Sequence, residues 1–367
     1  MTPGRAQIRR EGARVVAVDA HILTGKYQGS RTWLEGILKE LPSVAPSNHY
    51  VVYSHDPVRA REICRGPNVS HVEMPEWSAW RRLITFWPFA RLRDRFDVLM
   101  TQYIAPPLLA GPQIVVIHDI LFESHPDLFR RSDRIRNKLL VRWSARQATR
   151  IITVSNYSKQ AIISRYHVSE DKIVIAPNGV TAIRPSNSRL LSRPFALFVG
   201  RIEPRKNLGL LVQAMDRLET RDLLLVVVGK ADFQAGSDIA QLRSRPYALH
   251  LQDVPPEELA ALYRDAAVVV FPSRAEGFGI PVIEALAYGA QVVCSSSTAL
   301  PEVAGEFAFY FDPESTNSVE TLSERIASAL DNPIARDQGA LQLHLSKFGW
   351  RHSAEAVAHA IDASGPR

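Results

Sequence analysis

Short runs of apolar and β-branched residues alternate with helical patterns along the whole chain. Most of these runs are continuously apolar rather than alternating, which is typical of parallel strands that are buried on both faces of a sheet. The pattern predicts ten strands, over residues 14–19, 50–54, 97–101, 114–118, 151–155, 172–177, 195–200, 223–229, 267–273 and 291–296.

Strands that are joined by helices predict right-handed βαβ units, and therefore an α/β architecture of doubly wound sheets. Residues 183–194 lack periodicity and contain prolines and serines, so we interpret them as a linker. The predicted organisation is a Rossmann-like domain over 1–182, a second over 195–346, and a closing helix over 347–367 that packs toward the first domain. Ligands of such sheets bind at the carboxyl ends of the strands, here expected in a central cleft that both domains face.

Length and composition allow two cores, since the chain has 367 residues of which 46% are hydrophobic. The longest aliphatic run, residues 223–228, is too short to cross a bilayer, which needs roughly 20 apolar residues. Asp19 and His21 interrupt the first apolar stretch, so we expect no secretory signal. Cys64 and Cys294 make no disulfide framework, which indicates a reducing cytoplasm.

Charge is distributed unevenly. Residues 1–185 contain 27 Lys and Arg against 16 Asp and Glu, whereas the remainder contains 17 against 22. A basic half suits nucleic acid, anionic lipid or a phosphorylated small molecule, and a plain solvated surface is the alternative. Because no RNA- or DNA-reading motif accompanies the arginines, we do not expect nucleic acid as a partner.

The stretch "SRAEGFGIPVIEAL" (273–286) is predicted to leave the carboxyl end of a strand and enter a helix. Pro281 suits the first turn of that helix, and Gly289 its end. Gly277 and Gly279 let the backbone turn its N–H groups toward a ligand at a helix N-terminus.

Glu276 and Glu284 stand eight positions apart around this turn. Carboxylates accept hydrogen bonds from vicinal hydroxyls, so the pair could hold two separate polyols. The alternative is that Glu284 complements the helix dipole and Glu276 is solvated.

A cationic loop follows the strand over 195–200 and contains Arg201, Arg205 and Lys206. A helix is predicted to begin directly after it, near Asn207. Three cations beside a helix N-terminus predict a phosphate site, with a salt bridge to Glu203 as the alternative. The chain contains no Asp-x-Asp pair, so we expect no metal and no cofactor at this site.

These stretches together resemble a known family. "GRIEPRKN", followed by "LYRDAAVVVFPSRAEGFGIPVIEALAYG", resembles the retaining glycosyltransferases of the GT-B fold, specifically family 4. The resemblance covers nearly the whole chain, including "RIITVSNYSKQAI" and "KIVIAPNGV". Its Glu-x7-Glu pattern matches at Glu276 and Glu284, and it implies two facing Rossmann-like domains with a C-terminal helix crossing back.

The resemblance implies catalytic roles for His118, Glu276, Arg201 and Lys206. Arg201 and Lys206 would grip the nucleotide diphosphate with help from Arg205, and Glu284 would accept from the ribose hydroxyls. Glu276 would hold the donor sugar, together with the backbone of Gly277, Phe278 and Gly279. Val254 would lie where relatives hold the base.

In relatives, a histidine at the position of His118 touches the donor sugar; a structural histidine is the alternative. Asp119 could orient its ring or cap the next helix. The stretch over 25–38 is similar to the family's glycine loop, which would place Gly29, Ser30 and Arg31 against the donor phosphates or the acceptor. Relatives usually have a second glycine near Ser30 and a tyrosine near Trp33.

Residues 76–96 contain five arginines, three tryptophans and three phenylalanines, and residues 129–146 contain seven cations. One interpretation is docking on an anionic membrane surface; the other assigns the aromatics to the core and the arginines to a solvated face.

We predict a retaining, metal-independent hexosyltransferase of cell-surface polysaccharide biosynthesis on the inner face of the cell membrane. The donor would be a nucleotide sugar, with GDP-mannose favoured over a UDP- or dTDP-sugar. The acceptor would be polyprenyl-diphosphate-linked or an oligosaccharide. The alternatives are a nucleotide-sugar epimerase or phosphorylase on the same scaffold, or a non-catalytic partner subunit.

Overall fold

The computed structural model describes residues 13–24, 28–187, 189–218, 221–232 and 235–365. The chain forms two compact units, each with its own parallel sheet. The first runs to Gly179 and resumes at Gly349, and the second is Val180–Phe348.

The first unit contains a seven-stranded sheet in the order β3-β2-β1-β4-β5-β6-β7. All its pairings are parallel. The strands are β1 (Val15–Asp19), β2 (His49–Ser54), β3 (Val69–Glu73), β4 (Val98–Gln102), β5 (Gln113–Val116), β6 (Arg150–Thr153) and β7 (Ile173–Ile175).

The second unit contains a six-stranded sheet in the order β10-β9-β8-β11-β12-β13, again entirely parallel. Its strands are β8 (Phe195–Val199), β9 (Leu224–Val228), β10 (Ala248–Leu251), β11 (Val268–Phe271), β12 (Val292–Ser295) and β13 (Ala308–Phe311).

Helices connect the strands, as the sequence predicts. They are α1 (Gly29–Val44), α2 (Pro57–Ile63), α3 (Ala79–Arg81), α4 (Trp87–Asp94), α5 (Leu121–Ser124), α6 (Arg131–Gln147), α7 (Asn156–Tyr166), α8 (Leu208–Asp216), α9 (Gly236–Arg243), α10 (Pro256–Asp265), α11 (Ile280–Ala287), α12 (Leu300–Ala304), α13 (Ser318–Asp331), α14 (Gln338–Ser346) and α15 (Trp350–Asp362). A π-helical segment, Arg82–Phe86, joins α3 to α4. No helix within the described ranges is long and apolar enough to span a bilayer.

All ten predicted strands are present, and three further strands were not predicted. These are β3, β10 and β13, each at the edge of its sheet. Polar residues such as His71 and His250 interrupt the apolar runs of β3 and β10, which are only partly buried. In β13, a four-residue run of apolar residues cannot be distinguished from part of a buried helix by its period.

The closing helix α15 belongs to the first unit and packs along α1. Trp350 lies so close to α1 that a Cβ atom on Gly36 would stand 2.3 Å from its ring. The Ser353 hydroxyl donates to the Pro177 carbonyl oxygen at 2.6 Å, which ties the helix to the segment after β7. The second unit has a separate core around Phe198, made of apolar residues from one face of its sheet and from α8 and α13.

Candidate functional site

In the second unit, two loops leave the sheet at its topological switch point. The chain builds outward from β8 in one direction and from β11 in the other, and these two strands are neighbours. Loops at the carboxyl ends of such a strand pair flank the crevice where doubly wound sheets bind ligands. The loops after β8 and β11 are the two that the sequence singled out.

The loop after β11 has the predicted course into a helix. Gly279 has φ of +111°, and a Cβ atom there would lie 2.6 Å from Leu300, so only glycine fits. Helix α11 then begins at Ile280 with Pro281 in its first turn, and Gly289 follows its end with φ of +79°. The Phe278 ring is buried and packs edge-on against Phe348.

Glu276 and the cationic loop form one cluster. The buried Glu276 carboxylate accepts from Arg205 Nη1 at 2.6 Å and from Lys206 Nζ at 2.7 Å. Burial opposes ionisation of this carboxyl, but the charges of Arg205 and Lys206 outweigh it and lower its pKa to about 2. Glu276 is therefore a fixed, ionised group and a weak base at neutral pH.

Arg205 joins the two loops. Besides Glu276, it donates to the Ala275 carbonyl oxygen at 2.8 Å and to Glu203 Oε1 at 2.7 Å. Its own carbonyl oxygen accepts from the Arg274 N–H at 2.9 Å. The salt bridge to Glu203, which was the alternative at the sequence level, is thus present together with the contact to Glu276.

Arg201 lies in the same loop but has a different partner. Its Nη1 donates to Asp232 Oδ2 at 2.8 Å, and a third of its side chain is exposed. The neighbouring ends of β8 and β9 are close, since a Cβ atom on Gly229 would lie 1.9 Å from the Gly200 carbonyl oxygen. The loop after β9 thereby brings Asp232 beside Arg201.

Glu284 lies on the second turn of α11 and is half-buried. Its Oε2 accepts from the Tyr263 hydroxyl of α10 at 2.8 Å. Burial raises the pKa of Glu284, and the hydrogen bond from Tyr263 opposes that rise. Val254, predicted near the base, lies half-buried in the loop after β10.

His118 belongs to the first unit and lies two residues beyond the end of β5, rather than at the end of a strand as predicted. Its buried ring contacts Gln102 Oε1 through Nε2 at 3.0 Å. Burial lowers its pKa to about 3, so the ring is neutral at neutral pH. Asp119, one residue before the N-cap of α5, accepts through Oδ1 from the first N–H of that helix, at Leu121.

Gln102 is a residue that the sequence prediction missed. Its signal was present, since a polar residue directly follows the buried strand "VLMT". Trp33 is buried and contacts the His118 ring edge-on at 5.4 Å between centroids. Its Nε1 donates to the Ala176 carbonyl oxygen at 2.9 Å.

The predicted glycine loop is described only from Gln28 onward, and residues 25–27 lie outside the described residues. Gly29 and Ser30 are the first two residues of α1. The next residue, Arg31, is buried and donates to Glu35 at 2.9 Å.

A buried charge cluster at the end of β1 was also missed. Asp19 accepts from His21 Nδ1 at 2.7 Å and lies 3.5 Å from Arg82 Nε. Burial opposes its ionisation, yet the neighbouring His21 and Arg82 lower its pKa to about 2. Throughout the part of the chain that the structure describes, no group of three or more His, Cys, Asp or Glu side chains is arranged to hold a metal ion.

The aromatic residues of the basic segments divide between core and surface. Phe86, Trp87 and Phe96 are buried. Trp80 and Phe89 are 54% and 61% exposed. The core interpretation is therefore confirmed for the buried aromatic residues, and the docking interpretation applies to the exposed ones.

The two basic segments lie on the same face of the first sheet. The π-helix and α4 pack on Ala17 and Leu99, and α6 packs on Val115. The strand register aligns Ala17 with Leu99, and Thr101 with Val115, which places these side chains on one face. The outer side of this helix layer exposes apolar side chains, namely Trp80, Ile84, Phe89, Leu92, Ile135 and Leu139.

Two family descriptions match the chain. Residues 29–184 match "Glycosyltransferase Family 4", and residues 180–340 match "Glycosyl transferases group 1". O-antigen chain mannosyltransferase B of Escherichia coli is 30% identical over 269 residues, which cover 67% of this chain and 69% of that protein.

Solved structures resemble the whole chain. Sucrose-phosphate synthase from Thermosynechococcus elongatus superimposes with a TM-score of 0.76 at 18% identity, over 95% of this chain and 98% of its own. Anabaena HepE, in complex with UDP and glucose, gives 0.71 at 17% identity over 95% and 99%.

The two Rossmann-like units, with paired loops at the switch point of the second, have the GT-B fold. The chain belongs to glycosyltransferase family 4 and is similar to bacterial mannosyltransferases.

Proposed function

We propose that this protein is a retaining, metal-independent hexosyltransferase that acts in cell-surface polysaccharide assembly. The donor is a nucleotide diphosphate sugar, with GDP-mannose as the first choice, and the acceptor is a lipid-linked or free oligosaccharide. The observation that carries the proposal is the cluster of Glu276, Arg205 and Lys206 at the switch point. The similarity to an O-antigen chain mannosyltransferase favours mannose and a polysaccharide product.

In this proposal the donor lies along the loops after β8 and β11. An ammonium group has three donors, and its contact with Glu276 uses one, so Lys206 can bind the diphosphate while remaining paired. Arg201 provides a second, more exposed cation. Glu276 accepts from the sugar hydroxyls, helped by the backbone of the Gly277–Gly279 turn, and Glu284 accepts from the ribose. Val254 lies near the base.

The low pKa of Glu276 favours a front-face reaction over one in which a carboxylate acts as base. An acceptor hydroxyl oxygen attacks the anomeric carbon on the face from which the diphosphate departs. The bond from that carbon to the diphosphate oxygen breaks, and the hydroxyl proton passes to the diphosphate. Because attack and departure occur on the same face, the anomeric configuration is retained. Lys206 and Arg201 stabilise the charge of the leaving diphosphate, the role that a metal would otherwise have.

His118 contributes as a neutral hydrogen-bonding group. Because Gln102 presents an acceptor oxygen, Nε2 of the neutral ring carries the proton, and Nδ1 is then an acceptor. A hydroxyl of the donor sugar is the partner we propose for Nδ1. Gly29 and Ser30, at the start of α1, are proposed to approach the phosphates or the acceptor.

Transfer with purified protein tests this function. The protein is incubated with GDP-, UDP-, ADP- and dTDP-sugars and an oligosaccharide acceptor, with and without a chelator. We expect transfer that the chelator leaves unchanged and a product whose anomeric configuration, measured by NMR, equals that of the donor. Glu276→Ala and Lys206→Ala should each reduce transfer about 100-fold or more.

Arg217→Met is the matched control, because Arg217 is an exposed cation of the same unit that pairs with Glu320. Transfer that stays within a few-fold of wild type in both site variants contradicts the proposal. Epimerised or phosphorolysed donor without transfer would instead indicate an enzyme of different chemistry on this scaffold.

We further propose that the first unit docks on an anionic membrane through the outer side of its α3–α4 and α6 layer. Exposed apolar residues stand there among exposed arginines: Phe89 and Leu92 beside Arg93, and Leu139 beside Arg136. Such a surface can insert shallowly while its guanidinium groups pair with lipid phosphates. A lipid-linked acceptor would then be reached from the inner face of the cell membrane.

Vesicle sedimentation tests the docking surface. We expect binding to vesicles containing phosphatidylglycerol, weakened by salt and nearly absent for phosphatidylcholine alone. The double variant Trp80→Ser/Phe89→Ser should bind several-fold more weakly. Leu343→Ser is the control, because Leu343 is equally exposed but belongs to the second unit. Equal binding to both kinds of vesicle would contradict the proposal.

A further inference from the structure

Tyr263 is a buried residue of α10 whose hydroxyl group reaches Glu284 on α11. The residue is 1% exposed, and its hydroxyl donates to Glu284 Oε2 at 2.8 Å. Burial, together with the charge of Glu284, raises the pKa of Tyr263 well above its usual 10, so the phenol remains protonated and acts as a donor. The contact is therefore a hydrogen bond that a neutral phenol donates to the Glu284 carboxyl, and it opposes the rise in the pKa of that carboxyl that burial causes.

The ring of Tyr263 is held in place by a second tyrosine. Tyr288 stacks on it with centroids 5.8 Å apart and planes 10° from parallel. The Tyr288 hydroxyl accepts from the Ile183 N–H at 3.1 Å and donates to the Ile183 carbonyl oxygen at 3.0 Å. With the ring fixed on one side and buried on the others, the Tyr263 hydroxyl has a defined position, and so does the carboxylate it contacts.

We propose that Tyr263 is a positioning residue that holds the Glu284 carboxylate in the orientation that accepts the hydroxyl pair of the nucleotide's ribose. A carboxylate offers about four lone-pair sites, and Tyr263 occupies one of them, on Oε2. The remaining sites, on both oxygens, suit two adjacent hydroxyl donors. Without Tyr263, the side chain would rotate, and a buried carboxyl without its donor would also ionise less readily.

This inference rests on the proposed role of Glu284 at the ribose, and it leads to one separate prediction. Removing the Tyr263 hydroxyl should weaken only the part of nucleotide binding that depends on the ribose hydroxyls. A purely structural role would weaken binding of every nucleotide to the same degree, or would lower stability without changing selectivity.

The experiment measures, by calorimetry, the affinities of GDP and 2′-deoxy-GDP for each variant, or of UDP and 2′-deoxy-UDP if the uridine nucleotides bind more tightly. We expect wild type to prefer the ribonucleotide about tenfold or more, as a hydrogen bond to a charged group would give. Tyr263→Phe should reduce this preference at least about threefold while binding of the deoxynucleotide changes little. Glu284→Gln should remove most of it.

Tyr247→Phe controls for the loss of a tyrosine hydroxyl, because it removes a hydroxyl that donates to Asp216 elsewhere in the same unit. This variant should keep the wild-type preference, and melting curves show whether each variant is folded.

A preference that Glu284→Gln abolishes and Tyr263→Phe preserves overturns this inference and leaves the proposed function intact. A wild type without any preference overturns the ribose role of Glu284 as well. Loss of the preference in Tyr263→Phe supports the inference whether or not the transfer assay succeeds with the sugars tried.

Discussion

Replacing Glu276 by glutamine should destabilise the second unit substantially. Glutamine has nearly the same volume as protonated glutamic acid, so the change removes the charge and leaves the packing. Arg205 and Lys206, whose side chains are only 18% and 12% exposed, would lose their common anionic partner. Arg205 would keep its salt bridge to Glu203, whereas Lys206 would lose the anion that offsets its desolvation, and breaking such a pair costs more than the pair contributes.

The magnitude follows from the pKa of Glu276. A fall from its usual 4.5 to about 2 corresponds to about 3 kcal/mol of stabilisation of the ionised form, at about 1.4 kcal/mol for each pKa unit. Because folding lowers this pKa, the contribution is fully present above pH 4.5 and is lost as the pH falls toward 2. The difference between wild type and Glu276→Gln should therefore shrink from about 3 kcal/mol at pH 7 to about 1 kcal/mol at pH 3.

Urea unfolding of both proteins at these two pH values measures the difference directly. Glu314→Gln is the matched control, because Glu314 also pairs with an arginine, Arg274, but is 56% exposed. Exposed pairs contribute about 0–1 kcal/mol, so this control should unfold nearly as wild type does. A Glu276→Gln variant within about 1 kcal/mol of wild type at pH 7, or a difference independent of pH, would refute the reasoning.

Three further experiments, one with a thiol reagent and two with substitutions, test the packing of the two units. Cys64 and Cys294 are buried, and burial raises the pKa of the Cys64 thiol to about 12, so neither should react with a thiol reagent at neutral pH until denaturant is added. Tyr53→Phe, which loses the hydrogen bond to Asp94 at 2.6 Å, should cost about 1 kcal/mol of unfolding free energy without changing nucleotide affinity. Leu211→Ala, in the core of the second unit, should cost about 2–5 kcal/mol, and denaturation near wild type would contradict the core assignment.

The central strands of both sheets were predictable because they are buried on both faces and read as continuous apolar runs. The edge strands β3 and β10 escaped for the opposite physical reason, whereas the apolar edge strand β7 was predicted. In β3 only one neighbour and one covered face constrain the sequence, so Ser70, His71 and Glu73 occur where a central strand would have apolar residues. An apolar sequence pattern reports burial, so it detects partly exposed edge strands poorly.

The loops of the site were predictable, but their contacts were not. Motifs indicated charged residues at the ends of β8 and β11. From sequence alone, however, Glu276 was expected to bind the donor sugar, and the cations of the other loop were expected to bind the diphosphate. Their salt bridges depend on the side-by-side placement of two strands about 70 residues apart in the chain, which only the sheet order reveals. Tyr263 escaped because an aromatic residue on the apolar face of a helix indicates core packing until its hydroxyl partner is known.

The place of α15 in the first unit has a consequence for biosynthesis. A ribosome makes every residue of the second unit, 180–348, before it makes the helix that completes the first. Until then the nascent first unit presents an uncovered apolar strip along α1 where Trp350 will pack at Gly36. The second unit, although it is synthesised later, can therefore fold first. The first unit remains incomplete, and must be protected from aggregation, until synthesis is nearly finished.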